Sequence, residues 1–554
     1  MKRILNGLLA VSCLLLAASC ADYNDTTGFY AEPDPSFDNP YKNLGSVKSY
    51  IDRNTYPNMS LGAQLKVADF NKQELAHAAA VTNFDNVAFG TTLMSGAIVS
   101  EKGIMNFLAM KNLLDHVQEI GGEVFGSPIV ANANQADSWF STLTAPIEIK
   151  VDFVDGKSVD FNEMPVGAYS GTIDKGKASI VKKDGENVLQ INSAANVRIL
   201  EDFEYDPKAT YTATFWAKSD KDVTFRIVLS DSTVAGTYLN ETWLLKGGKP
   251  TKFVVETKGR EDATQGYLRI ENEKKGNIFI QKVQIGYYPD NHRPQEPEEV
   301  SDTIHYALNA WCDGLMKYNE GRIKSFDLID EPLDTKLLAG TDYYDLKHSS
   351  DKIFWQDIFG SEEYAPTVSK VAKEHFVKYG GNADDLKFFI SETELENPKK
   401  FESLKYWMGV WDAKGAQIDG INAKLNLFYS EDAATQAETE NTLNTLLDNL
   451  AQTGKLIRLS NFDIKYKNAE GASVSVSDIT TEQRQKLADF YAYVIKKYMN
   501  TIPNDKQAGI CKLNMLDTND PVGMWSNEVV DAKGNKDWVR NATYKAFCDA
   551  LSGK

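Results

Sequence analysis

Two short stretches bring together side chains that could move protons or attack carbon. One is Asp330-Glu331, adjacent carboxyl groups that close the apolar run IKSFDLIDEP. The other is GKLIRLSNFDIKY at 454–466, a second apolar run that ends in Asn461 and, two residues on, Asp463. A carboxyl group at a strand end can act as general acid or base, and a facing carboxylate as a nucleophile. An amide at neutral pH lacks the charge to form or stabilise a covalent intermediate. Asp463 shares the face of Asn461 by the strand period of two. It is therefore a candidate to replace Asn461, as are Glu392 and Glu394 in ISETELEN. The six His have no metal-ligand spacing, so neither a metal nor another cofactor is expected.

Both stretches need elements to hold them. From about Ser46 the chain alternates apolar strand-like runs (LGAQLK, FDNVAFG, EVFGSPIVANA) with helical periods (NKQELAHAAAVT, GIMNFLAMKNLLDHVQEIG). The rhythm stops near Thr144 and resumes near Glu298, where IKSFDLIDEP, LKFFISETE, IDGINAKLNLF and KLIRLSNFDIKY alternate with further helices. About eight βα units result, the number that closes a parallel (β/α)8 TIM barrel. Residues 145–290 differ: KASIVKK, YTATFWAKS, VTFRIVLS, KFVVETKG and NIFIQKVQIG are short alternating strands, which read as an all-β jelly-roll sandwich interrupting the barrel. The expected domains are therefore a barrel over 46–144 and 291–554 and a sandwich over 145–290, within an α/β fold.

The N-terminus MKRILNGLLAVSCLLLAASC has two basic residues and then an apolar run too short to span a bilayer, which fits an export signal over residues 1–20. Residues 21–45 are polar and Pro-rich, as a tether would be. Cys312, Cys511 and Cys548 remain outside the signal, an odd number without metal spacing, and read as small buried apolar residues. At 554 residues the chain can bury more than one core. Its net charge of −18 argues against nucleic acid or an anionic lipid surface as partner. The 25 Tyr, 26 Phe and 9 Trp offer faces that could stack on sugar rings.

Over 46–144 and 295–552 the chain resembles glycoside hydrolase family 10, the retaining endo-β-1,4-xylanases. The resemblance rests on FDNV, DSWF, IKSFDLIDEPL, IDGI, LAQTGKLIRLSNFDIKY and ATYKAFCDAL in collinear order. It implies that Glu331 is the acid/base, that Asp330 stands where the family has Asn, and that the nucleophile position is Asn461. Asn132 stands where the family has His, and Ala423, Lys424 and Asn426 stand for its His, Gln and His; Gly90, Thr91 and Met94 replace its Glu, Asn and Lys. The insert is similar to carbohydrate-binding modules carried inside such barrels. The ending AASC resembles a lipobox with Cys20 as the lipidated residue, as in surface lipoproteins of Bacteroidetes-type bacteria.

The expectation is an outer-membrane, cell-surface lipoprotein, lipid-anchored through Cys20, that captures a polysaccharide on a degenerate barrel and could join an outer-membrane glycan-uptake complex. Sugar contacts are expected from Asn132, Trp139, Lys424, Asn426 and Trp525 in the barrel and from Trp216, Tyr238, Trp243 and Tyr267 in the insert. The alternative is an active hydrolase, either xylanase-like with Glu331 or substrate-assisted on 2-acetamido sugars with Asp330-Glu331.

Overall fold

The computed structural model describes residues 39–204, 206–230, 237–258, 265–529 and 534–554. The signal segment with Cys20, and most of the tether, lie outside the described residues. No helix among the described residues is long and apolar enough to cross a membrane. The chain divides into two compact units, one holding residues up to Thr144 together with Pro297–Lys554, the other Ala145–Glu296.

The first unit is a closed barrel of eight parallel strands: β1 Ser60–Gln64, β2 Asn86–Ala88, β3 Glu123–Gly126, β4 Ser325–Asp330, β5 Lys387–Thr393, β6 Gly420–Lys424, β7 Leu456–Ser460 and β8 Gln507–Lys512. Each pairs with the next, β8 pairs back to β1, and β4 pairs with both β3 and β5, so no edge is left open. This is the TIM barrel expected from the βα rhythm. Helices cover the outside through apolar stripes. In α1, Pro297–Asn319, the buried Ile304, Leu308, Trp311, Cys312 and Leu315 recur at helical spacing. Pro297 opens that helix, and Glu298 and Glu299 sit in the first turn, where the helix dipole favours them. Cys312, Cys511 and Cys548 are free and buried, as read from the sequence.

The barrel interior departs from the branched apolar layers usual in this architecture. Alternation along the strands turns Ser60, Asn86, Asp327, Asn422, Arg458 and Ser460 inward, where they line two cavities at opposite ends of the barrel, Arg458 lining both. Gly62 on β1 has no room for a side chain: a Cβ there would lie 2.6 Å from Asn86 Oδ1 and 3.1 Å from Arg458 Nη2.

Among its described residues the second unit is all β apart from one short 3-10 turn at Phe161–Glu163. One antiparallel sheet runs in the order 251–258, 210–219, 278–288, 186–191, 178–183, 167–168, with 154–160 paired to 278–288; the other runs 237–245, 223–230, 265–274, 196–204, 173–175. A single core joins them, including Ile199, Phe215, Phe225, Ile270 and Ile285. His292–Arg293 pairs with Ile147–Glu148, which ties entry and exit strands together and groups residues 291–296 with the sandwich.

Candidate active site

The sequence places Asp330 as the last residue of β4 and Glu331 just beyond it, and Asn461 just beyond β7. Strands β5 and β6 lie between β4 and β7 in the barrel wall. Glu331 takes φ 45° and Asn461 takes φ 52°, left-handed values that few non-glycine residues adopt and that concentrate at functional strand ends. The Glu331 N–H donates to the Ser391 carbonyl at 2.8 Å, which fixes the turn on β4.

Lys424, the last residue of β6, fills the space beside them. Its ammonium donates to Asp330 Oδ1 and, at 2.9 Å, to Glu331 Oε1. The Ser391 hydroxyl donates to the same oxygen of Asp330, and Lys347 Nζ stands 3.8 Å from Glu331 Oε2. Burial pushes the Glu331 carboxyl up, but Lys424, Lys347 and Lys400 outweigh it and hold the group below the usual glutamate value. Burial likewise pulls Lys424 down, and Asp330 and Glu331 more than reverse it. Lys424 thus stands as an ammonium that holds Glu331 ionised at neutral pH, with no proton there to donate.

One turn deeper, Asp327 is fully buried and accepts from Asn422 Nδ2 on both carboxylate oxygens at 3.0 Å. Burial, with Asp330 nearby, raises its carboxyl to about 7. Asp330, Asp327, Asn422, Lys424 and Asn461 all line a cavity of about 180 Å³ at the C-terminal mouth, beside Gly90, Thr91 and Met94.

The other candidate nucleophiles are committed elsewhere. Glu392 has a side chain only 1% exposed, lies 3.0 Å from Lys400 Nζ and accepts from the Leu333 and Thr393 amides. Glu394 points outward, 68% exposed. Asp463 is bonded to the wholly buried Lys512 and accepts from Asn514 Nδ2 at 2.7 Å. Burial pulls the Lys512 ammonium down against the opposing pull of Asp463.

Of the expected sugar contacts, Lys424 belongs to the cluster and Asn426 is exposed just past β6. Asn132 follows Ala131, whose register partner is Asp330, and both its side-chain polar atoms are buried without a hydrogen-bond partner. Two barrel platforms are corrected: Trp139 and Trp525 are 5% and 2% exposed, packed into the core by their apolar bulk. In the sandwich Trp216 is exposed on the outer face, opposite Lys252. Trp243 is half-buried, edge-on to Phe253. Tyr267 is corrected, being buried with the Arg198 guanidinium 3.8 Å over its ring. The Tyr238 side chain lies outside the described residues. Sequence reasoning missed Asp327, Lys347, Lys400 and Arg458. Asp327 was within reach of it, since period two turns that residue inward from β4.

The family model described as Glycosyl hydrolase family 10 matches residues 289–543. The chain carries a glycosyl hydrolase family 10 domain. Solved structures similar to it include xylanase B from Clostridium stercorarium F9, 11% identical over 91% of this chain and 100% of that chain, TM-score 0.50. Another is a GH10 endoxylanase retrieved from sugarcane soil metagenome, 9% identical over 92% of this chain and 100% of that one, TM-score 0.50. At such identities the likeness is one of fold. None of the curated proteins matches. In the family 10 domain, the β4 and β7 ends are where the resemblance puts acid/base and nucleophile, and they hold a salt-bridged Glu331 and the amide of Asn461.

Proposed function

We propose that this family 10 barrel captures a polysaccharide without cutting it, as part of a lipoprotein anchored at the cell surface through Cys20. Retaining hydrolysis needs one carboxylic acid that can protonate the leaving oxygen and one carboxylate that can attack the anomeric carbon. The observation that carries the reading is Lys424, whose ammonium bonds both Asp330 and Glu331 and keeps the acid/base candidate ionised. Asn461 supplies no charge on the β7 side. Glu392 and Asp463 have lysine partners of their own. The sandwich contributes the exposed Trp216 as a surface for a sugar ring. Substrate-assisted cleavage would need Asp330 free to orient an acetamido group, whereas Asp330 accepts from Lys424 and Ser391.

The test is incubation with xylan, other β-glycans and 2-acetamido-sugar polymers, read by affinity electrophoresis and reducing-sugar assay. Retardation without product is expected. Product from acetamido polymers alone would establish substrate assistance, and product from xylan would overturn the reading. Loss of membrane fractionation in Cys20→Ala would support the lipid anchor; unchanged fractionation would remove it.

A further inference from the structure

The end of the barrel away from the mouth holds the larger cavity, about 260 Å³, and its lining is cationic. Arg322, Lys324, Lys387 and Arg458 contribute to it against one carboxylate, Glu123. The three rim cations have acidic neighbours: Arg322 has Asp115 at 2.6 Å, Lys324 has Asp385 at 2.9 Å and Lys387 has Asp419 at 3.9 Å. Arg458 has none at bonding distance. It is 4% exposed, forms no ion pair among the described residues, and its Nη1 is buried without a hydrogen-bond partner. Its guanidinium carbon stacks 3.7 Å from the centre of the Phe125 ring, and the groups that act on it, Asp327 and Cys511, lie on its mouth side, away from this cavity.

A buried guanidinium with no anion at bonding distance is costly, and proteins that keep one usually supply a partner. Strand β7 turns residue 458 into the barrel interior, where the fold ordinarily places a branched apolar side chain. The cavity wall also offers Asn86, whose Nδ2 donates to Ser60 Oγ at 2.6 Å while its Oδ1 is left unpartnered. The rim lysines are 55% and 39% exposed, so their pairs with Asp385 and Asp419 are weak and can be exchanged for a stronger anion.

We propose that this N-terminal cavity is a second ligand site, which takes a small oxyanion, a phosphate or a carboxylate group, with Arg458 at its floor and Lys324 and Lys387 at its rim. Arginine suits such a group because its forked donors match two oxygens at once. Arg458 lines the mouth cavity as well, so it is the rim lysines, which line the N-terminal cavity and not the mouth, that separate this site from glycan capture.

The experiment is calorimetric titration of the full chain with sodium phosphate and, separately, sodium acetate, against sodium chloride at matched ionic strength. Saturable binding of at least one oxyanion with no response to chloride is expected, and the two arms tell a phosphate site from a carboxylate site. Lys387→Gln should weaken it about tenfold, the loss of one charge-assisted hydrogen bond. Arg458→Met, with folding checked by circular dichroism, should abolish it. If Arg458→Met does not fold, the paired variant Lys324→Gln/Lys387→Gln supplies the same test at exposed positions, and glycan retardation should be unchanged in it. No saturable binding by either anion overturns the proposal. So does binding that survives the paired rim variant but is lost in Lys424→Met, which would place the anion in the mouth.

Discussion

The two sides of the barrel mouth solve the same problem differently. At the β4 side Lys424, with a side chain 17% exposed, lies between Asp330 and Glu331 and shares solvent with them. At the β7 side Lys512, with no exposure, is closed against Asp463, and the neighbouring strand end is the neutral Asn461. The first is an open cluster whose charges can exchange a partner for a ligand; the second is part of the wall. The number of carboxylates near a mouth therefore says little about chemistry until each is traced to its partner.

The largest effect expected from breaking this contrast is at Lys512. Lys512→Ala leaves Asp463 unpaired in the wall and should cost about 3–5 kcal/mol in denaturant unfolding. A loss under 1 kcal/mol would mean that the pair is no part of the wall.

Beneath the β4 side, Asp327 has a folded value of about 7 against an unfolded value near 3.9. The folded chain then binds the extra proton between these values, so stability is full below about pH 4, falls as pH rises towards 7 and is level above. Asp327→Asn should match the wild type near pH 4 and exceed it at pH 8 by on the order of 2–4 kcal/mol. Parallel curves for the two proteins would show that Asp327 is ionised throughout.

Lys424→Met should cost less than Lys512→Ala, about 1–3 kcal/mol, because its partners reach water. Glu331 is depressed, so its stabilising share is present above the unfolded value and disappears as pH falls through the lower folded one. Removing Lys424 should flatten the acid limb of the stability curve below about pH 4. Glycan retardation should fall in the same variant if the open cluster is where the sugar docks.

The smallest change is expected from Asn461→Glu. It restores a carboxylate at β7 but leaves Glu331 held by Lys424, and should yield no reducing sugar from xylan above the wild-type baseline. Strong hydrolysis by this variant would show that the two sides differ by one residue alone.

The fold was legible because its signals are local. Period-two and period-3.6 apolar patterns mark the strands and helices, and a change from one rhythm to short alternating strands marks the insert. The positions of Glu331 and Asn461 followed from where apolar strands stop. The buried state of Trp139, Trp525 and Tyr267 did not, since the sequence gives the same symbol to a ring packed in a core and a ring on a surface.

The amino-acid sequence by itself determined that an amide stands at position 461 and a carboxyl at 331, because side-chain chemistry at a strand end needs no neighbour to be known. Only tertiary structure decided what those groups can do. Lys424 comes from β6, Ser391 from β5 and Lys347 from a loop after β4, and it is their convergence on Asp330 and Glu331 that sets the charge there. Coulombic coupling acts through a few ångströms of space and not along the chain, so residues 94 positions apart settle a proton that neither could settle alone.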